Sequence, residues 1–214
     1  MLLKLLFVFV LIISFFIFFI IQKGLFSYNK STLTLSSKQE LEEKPWEKIF
    51  SELTNERLGE INYSSLKEKP IISDSKEIRL WIIDGSPLRG IILEKNISNW
   101  KAIQIPPKNT RKYNINLPVE LPDPKSGWDS LTEKLDSLNL EKLPDMSELD
   151  IGFHGYDATS VVIEIKNSDG YRNYMYRGLN FDRIAKMEYP KKVKDICLLL
   201  SEEFGIDMFY YNEQ

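Results

Sequence analysis

The chain has 214 residues, of which 43% are hydrophobic and 28% charged, a balance that excludes an intrinsically disordered protein and fits a globular one. Its formal charge is −3, and because residues 1 to 30 carry three lysines and no acid, residues 31 to 214 hold −6. An acidic body of this kind speaks against nucleic acid and anionic lipid as main partners, since both are gripped largely by Lys and Arg.

Residues 5 to 21, LLFVFVLIISFFIFFII, form a run of seventeen residues in which Ser14 is the only polar member. As a helix this run reaches roughly 26 Å, close to the hydrocarbon thickness of a bilayer. It is longer than the apolar core of a cleaved secretory signal and lacks a small-residue cleavage pattern after it. The expectation is a signal-anchor transmembrane helix over residues 1 to 24, with a cleaved signal peptide as the alternative. Lys4 before the run and Lys23 and Lys30 after it leave the charge rule for orientation nearly balanced. The expected arrangement is single-pass, with the N-terminus inside and the domain extracytoplasmic; signal cleavage would make the domain secreted or periplasmic. A cytoplasmic domain tethered to the inner face is the opposite reading. A single cysteine, Cys197, rules out an internal disulfide, and alanine occurs only at 102, 158 and 185. Both features favour a bacterial envelope over a eukaryotic secretory route. In that setting the Asn-x-Ser triplets at Asn29, Asn62 and Asn96 read as chance.

Residues 25 to 44 are rich in Ser, Thr, Asn and Lys and read as a flexible stalk, leaving residues 45 to 214 as one domain. Its first element is a helix over residues 45 to 58, with Trp46, Ile49, Phe50 and Leu53 as the apolar stripe. A loop through residue 75 follows. Residues 77 to 84 and 88 to 94 pattern as a hairpin around Gly85, Ser86 and Pro87, residues 100 to 105 as a third strand and 111 to 117 as a fourth. Five of the ten prolines fall between 106 and 124, so residues 117 to 124 are expected to run extended over the surface. Ser126 and Asp129 suit a capping box opening a helix whose stripe is Trp128, Leu131, Leu135 and Leu138. Trp128 reads as a buried anchor, with a ligand platform as its alternative. Residues 159 to 166 and 171 to 177 pattern as a second hairpin around Asn167-Ser168-Asp169-Gly170. A last helix begins near Pro190, buries Val193, Ile196, Cys197, Leu200 and Phe204 and stops at Gly205, and residues 206 to 211 suit a short edge strand. The fold class is therefore α+β: a mostly antiparallel sheet of five or six strands with two or three packing helices.

Reactive side chains crowd only at Asp145, Glu148, Asp150, His154 and Asp157, and His154 is the sole histidine. A histidine beside carboxylates can serve as a general base, which makes Asp150, His154 and Asp157, with Glu164 nearby, the catalytic candidates. Their spacing matches no metal-ligand pattern, so neither metal nor cofactor is expected, and a solvated loop is the plainer reading. Strand alternation places Arg172, Tyr174 and Tyr176 on one face, a candidate binding surface whose plainer reading is cross-strand packing. Cys197, on a helix's buried stripe, reads as a small hydrophobe. Three functions fit these features: a membrane-anchored, non-catalytic module binding a protein or small ligand, an envelope hydrolase using Asp150, His154 and Asp157, or an immunity protein that blocks a toxin.

Overall fold

The computed structural model of the chain describes residues 45–84, 88–97, 99–107, 117–151 and 158–209. The chain divides between Lys48 and Ile49 into two units. Residues 1 to 24, expected to span a membrane, and 25 to 44, expected as a stalk, lie outside the described residues. Among the described residues no helix is long and apolar enough to cross a membrane.

Among the described residues six strands form one antiparallel sheet: β1 (Lys76–Ile83), β2 (Arg89–Asn96), β3 (Asn99–Ile105), β4 (Val119–Leu121), β5 (Ser160–Asn167) and β6 (Gly170–Arg177). They lie in the order β4-β3-β2-β1-β5-β6, so β1 is paired on both sides, with Leu80 opposite Ile91 of β2 and Ile163 of β5. The helices are α1 (Pro45–Glu60), α2 (Trp128–Ser137), a short α3 (Asp182–Ala185) and α4 (Glu188–Phe204). The α+β expectation holds.

Alternation sorts each strand's side chains between two faces. One face carries Ile78, Leu80, Ile82, Ile91, Leu93, Val161, Ile163 and Ile165, and packs into a single core with Leu131 and Leu135 of α2 and Val193, Ile196, Cys197, Leu200 and Phe204 of α4. Each such aliphatic side chain contributes about 1.5–3 kcal/mol on burial. The helical stripes expected for α2 and α4 are those that pack here, and Gly205 ends α4 in the left-handed conformation (φ 64°).

Several local expectations change. The capping box at Ser126 does not form: α2 begins at Trp128, its cap is Gly127, and no side chain bonds the cap. Ser126 instead donates from its backbone N (2.8 Å) and Oγ (2.7 Å) to Glu203 of α4, which also takes Lys134 Nζ at 2.7 Å. The hydrogen bond from Lys134 holds the Glu203 carboxyl down to about 2. A charged acceptor from a distant helix outcompetes the local one, and it fastens α2 to the end of α4. In α1, Ile49 and Leu53 are 63% and 40% exposed, and the buried side is Phe50, Thr54, Arg57 and Leu58. The polar members of that side find internal acceptors: Thr54 Oγ1 donates to the Phe50 carbonyl at 2.7 Å, and Arg57 Nη2 to the Pro106 carbonyl at 2.9 Å. A search for apolar stripes passes over such residues.

The fourth strand lies at Val119–Leu121, inside the segment expected to run free over the surface, where it pairs with residues 102–104 of β3. Leu117 belongs to no strand, and residues 111–116 lie outside the described residues. Pro118 and Pro122 bracket this strand, consistent with a short edge. Of the edge strand expected over residues 206 to 211, 210 and 211 lie outside the described residues, and 206–209 form no strand, because the Ile206 and Met208 amides turn back to the carbonyl and hydroxyl of Ser201 at 3.1 and 3.2 Å. Met208 is buried in the core instead.

Gly90 faces Trp81 across the β1–β2 ladder, and a Cβ there would lie 2.2 Å from the Leu80 carbonyl oxygen and 2.9 Å from Trp81 Cε3. Gly90→Ala is therefore expected to lower the free energy of urea unfolding by about 1–3 kcal/mol through overpacking. Gly59→Ala, whose Cβ would meet nothing within 4 Å, is expected to leave stability unchanged or raise it by about 0.5–1 kcal/mol.

Candidate functional site

The acidic stretch that holds His154 begins with a 3-10 turn, Met146–Glu148. Asp145 is buried at its start: Oδ1 accepts from the Ser147 amide at 2.8 Å and from the Ser147 hydroxyl, and Oδ2 accepts from the Met175 amide at 3.0 Å. Asp145 therefore caps the turn and covers part of the open edge of β6, where the Arg177 amide also meets Met146 Sδ at 3.1 Å. Asp150 and Glu148 are exposed, and His154 and Asp157 lie outside the described residues. Of the three catalytic candidates, Asp150 alone thus lies among the described residues.

Arg172, Tyr174 and Tyr176 do share a face, but it is the covered one. Tyr174 and Tyr176 are fully buried, and their hydroxyls donate to the Leu140 and Pro144 carbonyls at 2.6 and 2.7 Å. Arg172, half-buried, donates from both terminal nitrogens to the Glu141 and Leu143 carbonyls, and its guanidinium lies 5.1 Å from the Tyr174 ring centre. Burial pushes both tyrosine hydroxyls well above the ordinary tyrosine range. The three side chains bind the connector between α2 and the 3-10 turn instead of forming an exposed surface. Alternation finds the face, but whether that face is covered depends on where α2 packs.

Trp128 likewise has neighbours on its ring: Trp100 stacks on it at 5.6 Å with 13° between the planes, and Phe204 approaches at 5.9 Å. Its indole N–H donates to Asp123 at 2.8 Å. Trp128 is thus partly buried and packed against the core.

The cluster that sequence reasoning missed lies on the other face of the sheet. Glu77, Arg79 and Trp81 of β1 point there together with Glu164 of β5 and Tyr171 of β6. Arg79 and Trp81 are fully buried, and Glu77 and Glu164 nearly so. Arg79 Nε donates to Glu77 Oε1 at 2.7 Å, and Nη1 donates to the Ser64 carbonyl at 3.0 Å. Glu77 Oε2 takes Lys69 Nζ at 2.5 Å. Glu164, opposite Arg79 in the ladder, accepts the Trp81 indole N–H at 2.7 Å on one oxygen and the Tyr171 hydroxyl at 2.8 Å on the other. Burial raises the Glu164 carboxyl above its ordinary value, against the opposing pull of those two donors and of Arg79. The sequence Glu77-Ile78-Arg79-Leu80 has the pattern of a strand with one wet face, so alternation alone does not mark these charges as buried. The legible signal was Trp81, a large apolar ring on the same face as the charges.

Lys69, Glu77, Arg79 and Glu164 alternate in sign, and each oxygen of the two carboxylates accepts from a donor of the same domain. No group of three or more His, Cys, Asp or Glu side chains that could hold a metal occurs among the described residues. Cys197 is buried in the opposite face, and burial pushes its thiol up to about 12. No protein-family model, curated protein or solved structure matches the chain.

Because the folded state raises the Glu164 pKa above its ordinary 4.5, its contribution to stability is fully present below about pH 4.5 and is lost as pH rises through the folded value. Glu164→Gln removes that titration and also one of the two accepted hydrogen bonds, at a cost of about 1–2 kcal/mol. In urea unfolding followed from acid to neutral pH, the variant is expected to be less stable than the parent at pH 4, with the deficit shrinking toward neutrality.

Proposed function

We propose that this chain is a membrane-anchored, non-catalytic binding module whose α+β domain is held outside the cytoplasm of a bacterial envelope and engages a protein partner. The observation that carries this reading is the internal commitment of the buried acids: Glu77, Asp145, Glu164 and Glu203, the buried carboxylates among the described residues, each accept hydrogen bonds from donors of the same domain. A general acid or base needs a free oxygen or nitrogen facing substrate, and these four have been assigned other work by the fold. The apolar run at residues 5 to 21 supports the anchor, and the −6 charge of residues 31 to 214 supports a basic surface on the partner.

The test is an affinity pull-down of the full-length protein from its native membranes, with the parent chain and His154→Ala compared and the masses of the recovered species recorded. The expected result is a stoichiometric protein complex recovered equally by both, with residues 1 to 24 still attached. A metal or small molecule bound by the parent and lost from His154→Ala, with no protein partner, would overturn the reading in favour of the hydrolase.

A further inference from the structure

The two faces of the sheet are closed by different means. The aliphatic face lies under α2 and α4, whereas the charged face lies partly under residues 61–75, which contain no helix or strand. Two non-glycine residues bound that segment in the left-handed conformation: Asn62 at φ 56° and Asp74 at φ 61°. Between them one side chain, Leu66, is fully buried, while Lys67, Glu68, Pro70, Ile71, Ile72 and Ser73 are exposed. Tyr63 is half-buried, with its amide donating to the Leu58 carbonyl at 2.9 Å, and the other attachments are polar. Arg79 Nη1 reaches the Ser64 carbonyl at 3.0 Å, Lys166 Nζ the Lys67 carbonyl at 2.9 Å, and Lys69 Nζ reaches Glu77 at 2.5 Å.

We propose that residues 62–74 are a strap that swings off the charged face as a unit, hinged at Asn62 and Asp74, while the sheet and its aliphatic face stay folded. Release separates Leu66, the half-buried Tyr63 and three polar tethers, and it returns water to Arg79 and Glu77, which two of those tethers hold. That compensation sets this face apart from the other, where lifting a helix would expose mostly hydrocarbon. Asn and Asp are, after glycine, the residues that tolerate the left-handed conformation best, so both hinges can change their backbone angles at small cost. Local opening of this kind is drawn from the segments with few buried apolar contacts. The uncovered floor presents Arg79, whose Nη2 makes no hydrogen bond among the described residues.

The test uses thiol labelling of the full-length protein carrying Leu66→Cys. Cys197, buried in the opposite face, reports global unfolding in the same molecule, so any loss of stability caused by the substitution is read directly. The thiol at position 66 is expected to react at least tenfold faster than Cys197, with a rate nearly independent of low urea. Adding Lys69→Ala is expected to raise the rate at position 66 several-fold without moving that of Cys197. One shared rate with one shared urea dependence would overturn the proposal. Should Leu66→Cys not fold, limited trypsin digestion serves. Lys69→Ala in the otherwise unaltered chain is expected to accelerate cutting after Lys67, located by mass, while Cys197 stays unreactive. Cutting after Lys67 that appears only as Cys197 becomes reactive would overturn it equally.

Discussion

A guanidinium with no solvent exposure, at the centre of the middle strand, is the constraint on which this domain turns. Arg79 lies between β2 and β5, and taking its charge out of water costs several kcal/mol unless opposite charge and hydrogen bonds replace the hydration. Glu77 meets that requirement directly at 2.7 Å, and Glu164 faces Arg79 across the β1–β5 ladder. Each acid then needs donors of its own. Lys69 serves Glu77; Trp81 and Tyr171 serve Glu164. Placing one arginine thus draws in residues from β1, β5, β6 and the 61–75 segment. The same need explains why that segment crosses the sheet where it does, since the Ser64 carbonyl is the acceptor for Arg79 Nη1.

The domain is accordingly two-sided in its energetics. Dispersion and the hydrophobic effect hold the aliphatic face, forces that tolerate exchange of one apolar residue for another of similar volume. Directional contacts hold the charged cluster of the other face, which also buries Ile92, Ile103, Ile105 and Val162, and within that cluster removal of one partner strands another in low dielectric. The first kind of face supplies stability, and the second fixes which segment lies on it and in what position. The part of that face under residues 61–75, held by three polar tethers, Leu66 and the half-buried Tyr63, also opens more easily than a face sealed by two helices.

Much of this architecture was legible in the chain. The β1–β2 and β5–β6 hairpins, the apolar stripes of α2 and α4 and the Gly205 stop follow from periodicity and turn chemistry, which are local. What escaped depends on tertiary neighbours. Ser126 has the spacing of a capping box, but Glu203, distant in sequence, claims it. Arg57 and Thr54 occupy the buried side of α1 because Pro106 and the helix's own backbone accept from them. Val119–Leu121 becomes a strand because β3 offers an edge, not because three residues between prolines prefer extension. The charged cluster was hidden for the same reason: alternating charge and apolar residues look identical whether the charged face meets water or a covering segment. Of the candidate site, Asp150 is exposed, and the aromatic strand face proved to be core.

The account rests on the Arg79–Glu77 contact being a mutually dependent buried pair, and a double-mutant cycle in urea unfolding measures that dependence. With Arg79→Met and Glu77→Gln, each single substitution is predicted to destabilise strongly, and the double to cost less than their sum by about 1–3 kcal/mol. Strict additivity would contradict the account, because it would mean that neither charge needs the other in the folded domain.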